Sequence, residues 1–325
     1  MKLTKKIAIA PKAILKSRKL IKNWYYCLID YLIFRSPYIK VKFRDNSTVN
    51  LTRELYKSLI YYYYKGYKIK FSSNSVIFNI NNNDYIIPLL EVEHTNSFLA
   101  SILALEHGYV YTNGVWKKNN IKFRHFYSAI CQVFEEEDYK FLNIKNKNVL
   151  DIGAFIGDSP IYFILKGAKK VYAIEPHPDA YNEMLENIKL NDMEDKIIPI
   201  NMGISYESNY IYIPTTVVNT QATLLKSKGD GIKVPAGKLS DIIEKYNIDA
   251  EILKMDCEGC EYDIILKDYD TIKEEFDEIG FEYHAYNTKI TVNKLLEKLN
   301  KDFECKFIKG GINEKLGIIH CIRKK

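Results

Sequence analysis

The stretch Asn148-Val-Leu-Asp-Ile-Gly-Ala-Phe-Ile-Gly-Asp158 decides the fold of this chain. Its first five residues predict a buried strand, and Gly153 and Gly157 indicate a tight turn into the helix that follows. Such a turn lets a ligand approach the backbone closely, and an acidic residue at the strand end accepts hydrogen bonds. A purely structural turn shares these features, so a ligand site needs a second feature elsewhere in the chain.

After this turn, short apolar strands alternate with amphipathic helices, which predicts an α/β fold with a doubly wound, Rossmann-like parallel sheet. The segments 303–308 and 316–322 close it as an antiparallel pair. The earlier part of the chain shows hairpin signals but no catalytic constellation. We therefore predict a small N-terminal α+β accessory domain at residues 1–137 and a second domain at residues 138–325.

Glu175 supplies the second feature, because it ends the next predicted strand about 24 residues after Asp151. A carboxylate at this position can accept hydrogen bonds from both ribose hydroxyls of an adenosine. Two kinds of ligand meet this description, dinucleotides and S-adenosylmethionine. The chain lacks the G-x-G-x-x-G pattern that brings a helix N-terminus against a pyrophosphate. S-adenosylmethionine has no pyrophosphate and needs no such pattern.

Three segments together resemble the FkbM-type S-adenosylmethionine-dependent methyltransferases: 149–158, Ala173-Ile-Glu-Pro-His-Pro178 and Leu253-Lys-Met-Asp-Cys-Glu-Gly-Cys-Glu261. The most specific mark is the D-x-E-G-x-E turn that begins at Asp256. The resemblance covers residues 141–325. It implies a Rossmann-like fold, S-adenosyl-L-methionine as cofactor and methyl transfer to a hydroxyl, since such enzymes act chiefly on sugars and polyketide-like products.

The resemblance also implies a set of cofactor-binding residues, which are Asp151, Gly153, Ala154, Gly157, Asp158, Glu175, Pro176, Asn201 and Asp256. Those in the first turn surround the amino acid part of the cofactor, and Glu175 binds the ribose. Asn201 lies near the adenine, and Asp256 faces the methyl group.

Methyl transfer to a hydroxyl needs an in-line approach of the oxygen and a base for its proton. The catalytic candidates are Asp256, Glu258 and His284, at the carboxyl edge of the fourth and fifth predicted strands. We expect Glu258 to orient the imidazole of His284, which acts as the base. Glu261 is expected to stabilise a helix N-terminus instead. A divalent metal held by Asp256, Glu258, Glu282 and His284 is an alternative, because oxygen-rich clusters suit Mg²⁺. Their spacing fits no metal motif, so no metal is predicted.

The six cysteines are too few and too scattered for a disulfide framework. Cys257 and Cys260 form a C-x-x-C, for which a structural or incidental role is favoured. No cleavage site follows the apolar residues near the N-terminus, so a cytoplasmic protein is expected.

Two interpretations remain for the N-terminal residues. The basic side chains there could meet anionic lipid as a peripheral membrane contact; they are Lys2, Lys5, Lys6, Lys12, Lys16, Arg18, Lys19 and Lys22. The favoured interpretation is a helix docked on its own domain through one apolar face. That face comprises Ile14, Ile21, Tyr25, Leu28 and Leu32.

The expected partner is a hydroxyl-bearing acceptor such as a glycan or a lipid-linked sugar. Nucleic acid is disfavoured as the acceptor for two reasons. The net charge is only +6, which is too mild to indicate a nucleic-acid partner. The turn Asp256-Cys-Glu-Gly also stands where base methyltransferases carry an N-P-P-like turn, and its carboxylates would repel phosphates. An RNA base methyltransferase and a non-catalytic Rossmann-like binding module are the alternatives. The sequence specifies neither the acceptor nor the oligomeric state.

Overall fold

The computed structural model describes residues 11–72, 74–95, 97–215 and 231–325. Lys2, Lys5 and Lys6 of the predicted basic stretch lie outside the described residues. Contacts between Cα atoms divide the chain into two units, residues 1–131 and 132–325. The sequence places this boundary six residues later, after Glu137.

The N-terminal unit combines short helices with small antiparallel sheets, in the α+β pattern predicted for it. Its helices are α1 (Pro11–Ser17), α2 (Trp24–Ile29), a π-helix (Asp30–Phe34), α3 (Arg53–Lys65), α4 (Leu89–His94) and α5 (Phe98–Glu106), followed by α6 (Ser128–Phe134) across the boundary. Its strands are β1 (Tyr38–Lys42), β2 (Thr48–Thr52), β3 (Lys68–Ser72), β4 (Ser75–Ile80), β5 (Asn83–Pro88), β6 (Val110–Thr112), β7 (Val115–Lys118) and β8 (Ile121–Phe123).

The sequence around residues 127–142 predicts one helix that leads into the second domain, but α6 covers only the first part of this segment. The helix stops at Phe134, just before three consecutive glutamates. Carboxylates at a helix C-terminus meet the negative end of the helix dipole, which disfavours continuation. Glu137 has a φ of 51° and turns the chain instead.

The apolar face predicted near the N-terminus is only partly buried. Ile21 is fully buried, but Tyr25 is 57% exposed and Leu32 is 56% exposed. The prediction that this face docks on its own domain is therefore wrong for these two residues. Together with Tyr26, Ile33 and Phe34, which are also exposed, they form an exposed apolar patch on α2 and the π-helix. No helix among the described residues combines the length and the apolar character that crossing a membrane requires.

The C-terminal unit is built on a seven-stranded sheet. The strands of this unit are β9 (Asn148–Ile152), β10 (Lys170–Ile174), β11 (Ile197–Ile200), β12 (Gly203–Ile204), β13 (Tyr210–Ile213), β14 (Ile232–Gly237), β15 (Ile252–Met255), β16 (Glu278–His284), β17 (Phe303–Lys309) and β18 (Leu316–Arg323). The order in the large sheet is β11-β10-β9-β15-β16-β18-β17, and β12, β14 and β13 form a separate small sheet. The helices of this unit are α7 (Asp158–Leu165), α8 (Pro178–Leu190), α9 (Leu239–Tyr246), α10 (Cys260–Lys267), α11 (Tyr269–Glu275) and α12 (Val292–Leu299).

In the large sheet β11, β10, β9, β15 and β16 run parallel to one another, and β18 is antiparallel to both of its neighbours. This is the predicted α/β, Rossmann-like fold with its antiparallel C-terminal pair. Every residue of β9 and of β15 is buried, as expected for central strands covered on both faces. The carboxyl ends of β9, β10, β15 and β16 consequently meet at one edge of the sheet, where open α/β sheets bind their ligands.

Two disulfides are present, although the sequence predicts no disulfide framework. Cys257 is joined to Cys260 within one turn of chain. Cys305 is joined to Cys321, which lies directly opposite it in the β17–β18 ladder. The second pair depends on strand register, which residue spacing alone does not reveal.

Candidate functional site

The turn after β9 packs directly against the turn after β15. Gly153 has a φ of 83°, and a Cβ atom built on it would lie 1.9 Å from the carbonyl oxygen of Asp256. Only glycine fits this backbone contact. Ala154 is fully buried in the same turn, and Gly157, with a φ of 87°, precedes α7. The glycines that the sequence identifies thus bring the two predicted halves of the site together.

Asp151 lies beneath this turn and is fully buried. Its carboxylate is 2.8 Å from the Nζ atom of Lys254 and accepts a hydrogen bond of 2.6 Å from the Ser159 hydroxyl. Lys254 also donates to the carbonyl oxygen of Gly153 at 3.0 Å. Burial opposes the charged lysine, but Asp151 and Asp256 outweigh it and raise the pKa of Lys254. Asp151 therefore holds the turn in place.

Lys254 is a residue that the sequence analysis missed. The available signal was a lysine inside the otherwise apolar strand Ile252–Met255, where a charge is costly unless it is paired. Asp158, at the start of α7, is also buried, and burial raises its pKa to about 7.

Glu175 follows β10 and is almost fully buried. Its Oε2 atom accepts the backbone N–H of Phe155 at 2.9 Å, and its Oε1 atom accepts that of His177 at 2.8 Å. Burial raises the pKa of Glu175 to about 7 despite these hydrogen bonds. Asn201 donates to the carbonyl oxygens of Glu175 (2.8 Å) and Pro176 (3.1 Å), so it fixes the shape of this turn.

The predicted catalytic residues meet at the ends of β15 and β16. The Nε2 atom of His284, whose side chain is only 2% exposed, lies 3.7 Å from Asp256 Oδ1. It lies 3.8 Å from Glu258 Oε2. The Oε2 atom of Glu282 is 4.0 Å away from it. We call these four residues the carboxylate–histidine cluster.

Glu261, not Glu258, holds the imidazole of His284. Its Oε1 atom accepts the backbone N–H of His284 at 2.8 Å and lies 3.0 Å from Nδ1 of the same residue. Its Oε2 atom accepts the N–H of Gly259 at 2.8 Å. Glu258 and Gly259 have φ values of 56° and 120°, so a left-handed turn directly precedes α10. Glu261 thus accepts a backbone N–H at the start of α10, in keeping with its expected place at a helix N-terminus, and it also holds His284, which the sequence did not predict.

Hydrogen bonds from neutral side chains orient the other carboxylates of the cluster. The Tyr139 hydroxyl donates to Asp256 Oδ2 at 3.0 Å, and the Tyr286 hydroxyl donates to Glu258 Oε2 at 2.7 Å. Asn287 Nδ2 donates to the carbonyl oxygen of Glu258 at 2.7 Å. Sequence analysis missed these donors, because nothing distinguishes two of 26 tyrosines before the chain is folded.

The cluster favours a positive charge at the imidazole. Burial works against that charge, but the hydrogen bond with Glu261 and the charges of Asp256 and Glu258 raise the pKa of His284 to about 10. Burial and the charge of Asp256 raise the pKa of Glu282 to about 8, and burial raises the pKa of Glu258 as well. A protonated imidazole cannot accept a proton, which argues against the predicted role of His284 as the base.

These observations define the class of protein. A Rossmann-like sheet with an antiparallel C-terminal pair carries a glycine turn, a buried carboxylate after β10 and a polar cluster at one edge. Residues 151–306 match the methyltransferase FkbM domain. The chain therefore carries a methyltransferase domain of the FkbM family, and its cofactor is S-adenosyl-L-methionine.

Similarity to individual proteins is more limited. A stretch of 53 residues is 45% identical to tRNA (guanine(37)-N(1))-methyltransferase Trm5b of Methanocaldococcus jannaschii and covers 16% of each chain. Methyltransferase sdnD of Sordaria araneosa is 24% identical over an aligned length of 169 residues, and the match covers 41% of this chain and 65% of that protein. The chain thus matches less than two thirds of the length of either relative. Among solved structures, TrmK of M. capricolum with S-adenosyl-homocysteine is 15% identical, with a TM-score of 0.37, over 61% of this chain and 68% of that one.

Proposed function

We propose that this protein is an O-methyltransferase that acts on a hydroxyl of a sugar or of another small or glycan-linked acceptor. The observation that carries the proposal is the carboxylate–histidine cluster at the carboxyl edge of β15 and β16. Its carboxylates can accept the proton of a hydroxyl. The cluster also adjoins the turn after β15, against which Gly153 of the glycine turn packs.

The residues at the first turn and after β10 fit S-adenosylmethionine. Each carboxylate oxygen of Glu175 accepts one backbone N–H, so a further lone pair on each oxygen is left for the two ribose hydroxyls. The turn at 153–157 would hold the amino acid part, and the turn fixed by Asn201 would border the adenine. The bound cofactor supplies an electrophilic methyl group, and the protein has to orient the acceptor and take its proton.

We assign to Glu258 the role of the base that accepts the proton of the acceptor hydroxyl. Tyr286 and Asn287 hold one side of this residue, and its carboxylate side chain is 13% exposed. Asp256 would orient the acceptor, since its Oδ2 atom is held by Tyr139 while Oδ1 faces the cluster. His284, held by Glu261, positions the carboxylates around it. All three predicted catalytic residues thus keep a role, but the base is a carboxylate.

A glycan or small acceptor suits this site better than RNA, because clustered carboxylates repel phosphates. A match that covers 16% of the Trm5b chain does not identify an acceptor. We further propose that residues 1–137 form the accessory domain that selects the acceptor. A non-catalytic binding module would not need the oriented cluster at the sheet edge.

The deciding experiment uses cofactor labelled in its methyl group, the full chain and a cell extract. We expect the label to enter a saccharide or lipid-linked saccharide fraction, and a Glu175→Ala variant to transfer none. Label in the RNA fraction would establish the RNA alternative. Cofactor binding without any transfer would favour the binding module.

The N-terminal unit is proposed to touch an anionic membrane surface. The exposed apolar patch has Lys22 before it, Arg35 directly after it and Lys40 on the adjoining strand β1, and all three are exposed. Large apolar side chains flanked by cations match a lipid surface with negative headgroups. Such attachment would suit a lipid-linked acceptor.

A further inference from the structure

The Nε2 atom of His284 has a feature that the proposed reaction leaves unexplained. The side chain of His284 is only 2% exposed, and among the described residues Nε2 forms no hydrogen bond, whereas Nδ1 contacts Glu261. Three carboxylate oxygens face it instead, at 3.7, 3.8 and 4.0 Å. We propose that Asp256, Glu282 and His284 bind a divalent transition-metal cation, for which Mn²⁺ is the probe.

The distances from Nε2 to the carboxylate oxygens are too long for a hydrogen bond but suit two atoms that bind the same cation. Two ligand atoms at about 2.1 Å from one ion are about 3.0 Å apart when cis and about 4.2 Å apart when trans. Nε2 and one oxygen from each of Asp256 and Glu282 all lie within 4.8 Å of one another. The cation would take the space between them.

Other histidines of this chain show the distance at which an imidazole nitrogen and a carboxylate form a hydrogen bond. His320 Nε2 lies 2.7 Å from a Glu278 oxygen, and His125 Nδ1 lies 2.8 Å from a Glu91 oxygen. His284 itself makes such a contact on its other nitrogen, 3.0 Å from Glu261. At Nε2, by contrast, the nearest carboxylate oxygens lie at 3.7 to 4.0 Å, about 1 Å farther than in these pairs.

The surrounding hydrogen bonds are those of a prepared metal site. Glu261 holds Nδ1, so Nε2 is directed at the carboxylates, and a bound cation would displace the proton on Nε2. A carboxylate on the far nitrogen is the usual support of a metal-binding histidine. The Tyr139 hydroxyl likewise holds Asp256 through Oδ2, and Oδ1 is the oxygen that faces Nε2 of His284. The sequence predicted no metal because the ligands come from two strand ends and match no linear motif.

One imidazole nitrogen with two carboxylates favours Mn²⁺, Fe²⁺ or Zn²⁺ over Mg²⁺ and Ca²⁺, which prefer oxygen alone. This inference goes beyond the proposed function, because binding needs no acceptor. Only its consequence rests on that function: a cation here would coordinate the acceptor hydroxyl and ease its deprotonation by Glu258.

The test titrates Mn²⁺ into the chelator-treated full chain, without cofactor or acceptor, and follows the electron paramagnetic resonance signal of the free ion. We expect stoichiometric binding that Zn²⁺ displaces and Mg²⁺ displaces poorly. Glu282→Gln and His284→Ala should each weaken binding at least about 10-fold, and Glu261→Gln about 10- to 100-fold. Near-ultraviolet circular dichroism confirms that each variant is folded.

Glu278→Gln is the matched control, because Glu278 is a buried carboxylate on the same strand that also contacts a histidine. Its Mn²⁺ affinity should equal that of the unmodified chain. Absence of binding at millimolar Mn²⁺, equal affinity in Glu282→Gln, or an equal loss in Glu278→Gln would each overturn the site. If the chelator-treated protein binds no Mn²⁺ but still transfers methyl groups, the metal site is wrong and the proposed function stands. If the protein binds Mn²⁺ but methylates no hydroxyl, the proposed function is wrong and the metal site stands.

Discussion

Lys254 Nζ and Asp151 Oδ1 lie 2.8 Å apart in the centre of the sheet, and their side chains are 2% and 0% exposed. The pair joins two adjacent strands at the points where both site turns begin. Removing one partner leaves a buried charge without its counter-ion, which costs about 3 to 5 kcal/mol.

Lys254→Met is therefore expected to lower the free energy of unfolding by about 3 to 5 kcal/mol, measured by urea denaturation. The double variant Asp151→Asn with Lys254→Met removes both charges and should recover part of this loss. Equal stability of the single and double variants would show that the pair does not support the turn.

Glu175 should determine cofactor affinity. Glu175→Ala removes a charged acceptor of two hydroxyl hydrogen bonds, so binding of S-adenosylhomocysteine should weaken by about 1.5 to 3 kcal/mol in calorimetry. The fold should survive, as checked by circular dichroism. Unchanged affinity would contradict the assigned ribose site.

The raised pKa of Glu175 predicts opposite pH effects on stability and on binding. The folded chain holds this proton up to a pKa of about 7, while the unfolded chain releases it near the ordinary value of 4.5. Between about pH 5 and pH 7 the unfolded state therefore binds fewer protons, and the stability of the free protein falls as the pH rises. Lys254, Asp151 and His177 surround the carboxylate and contribute to its pKa.

Cofactor affinity should rise over the same interval, because the ionised carboxylate is the better acceptor. Glu175→Gln should remove the contribution of this residue from both pH profiles. Calorimetric titrations at pH 6 and pH 8 make the comparison, and a profile that is the same in the variant would refute the assignment.

Glu258→Gln and His284→Ala should lose turnover by about 10²- to 10⁴-fold while cofactor affinity stays the same. The first removes the proposed base, and the second removes the group around which the carboxylates are arranged. Glu207→Gln is the control, since Glu207 is an exposed carboxylate of the same unit. Near-normal turnover in either site variant would remove that residue from the mechanism.

The exposed apolar patch should govern membrane attachment. The full chain is expected to sediment with phosphatidylserine vesicles at low salt and to detach at high salt, because salt screens the attraction. The double variant Ile33→Asp with Phe34→Asp should stay in the supernatant. Ile86→Asp, at an equally exposed apolar position on β5, should sediment normally. Recovery of the unmodified chain in the supernatant at both salt concentrations would mean that the patch does not bind lipid.

The succession of strands and helices along the C-terminal unit and the position of the glycine turn were predictable, because each depends on local pattern. Apolar runs of strand length, glycines at a turn and a carboxylate at a strand end are all visible in residues 148–175. The meeting of Asp256, Glu258 and His284 was also predictable, since carboxyl ends of neighbouring parallel strands lie at one edge.

The sequence by itself therefore determined the fold class and the place of the site, because hydrophobic period and turn chemistry act over a few residues. Only the tertiary structure decided how the charges are paired. The pairing of Asp151 with Lys254 spans 103 positions of chain, and that of Glu261 with His284 depends on the left-handed turn at Glu258. Such contacts follow from strand register and loop geometry. These place His284 within hydrogen-bond distance of Glu261, at 3.0 Å, but at 3.7 Å from Asp256, which is too far for a hydrogen bond.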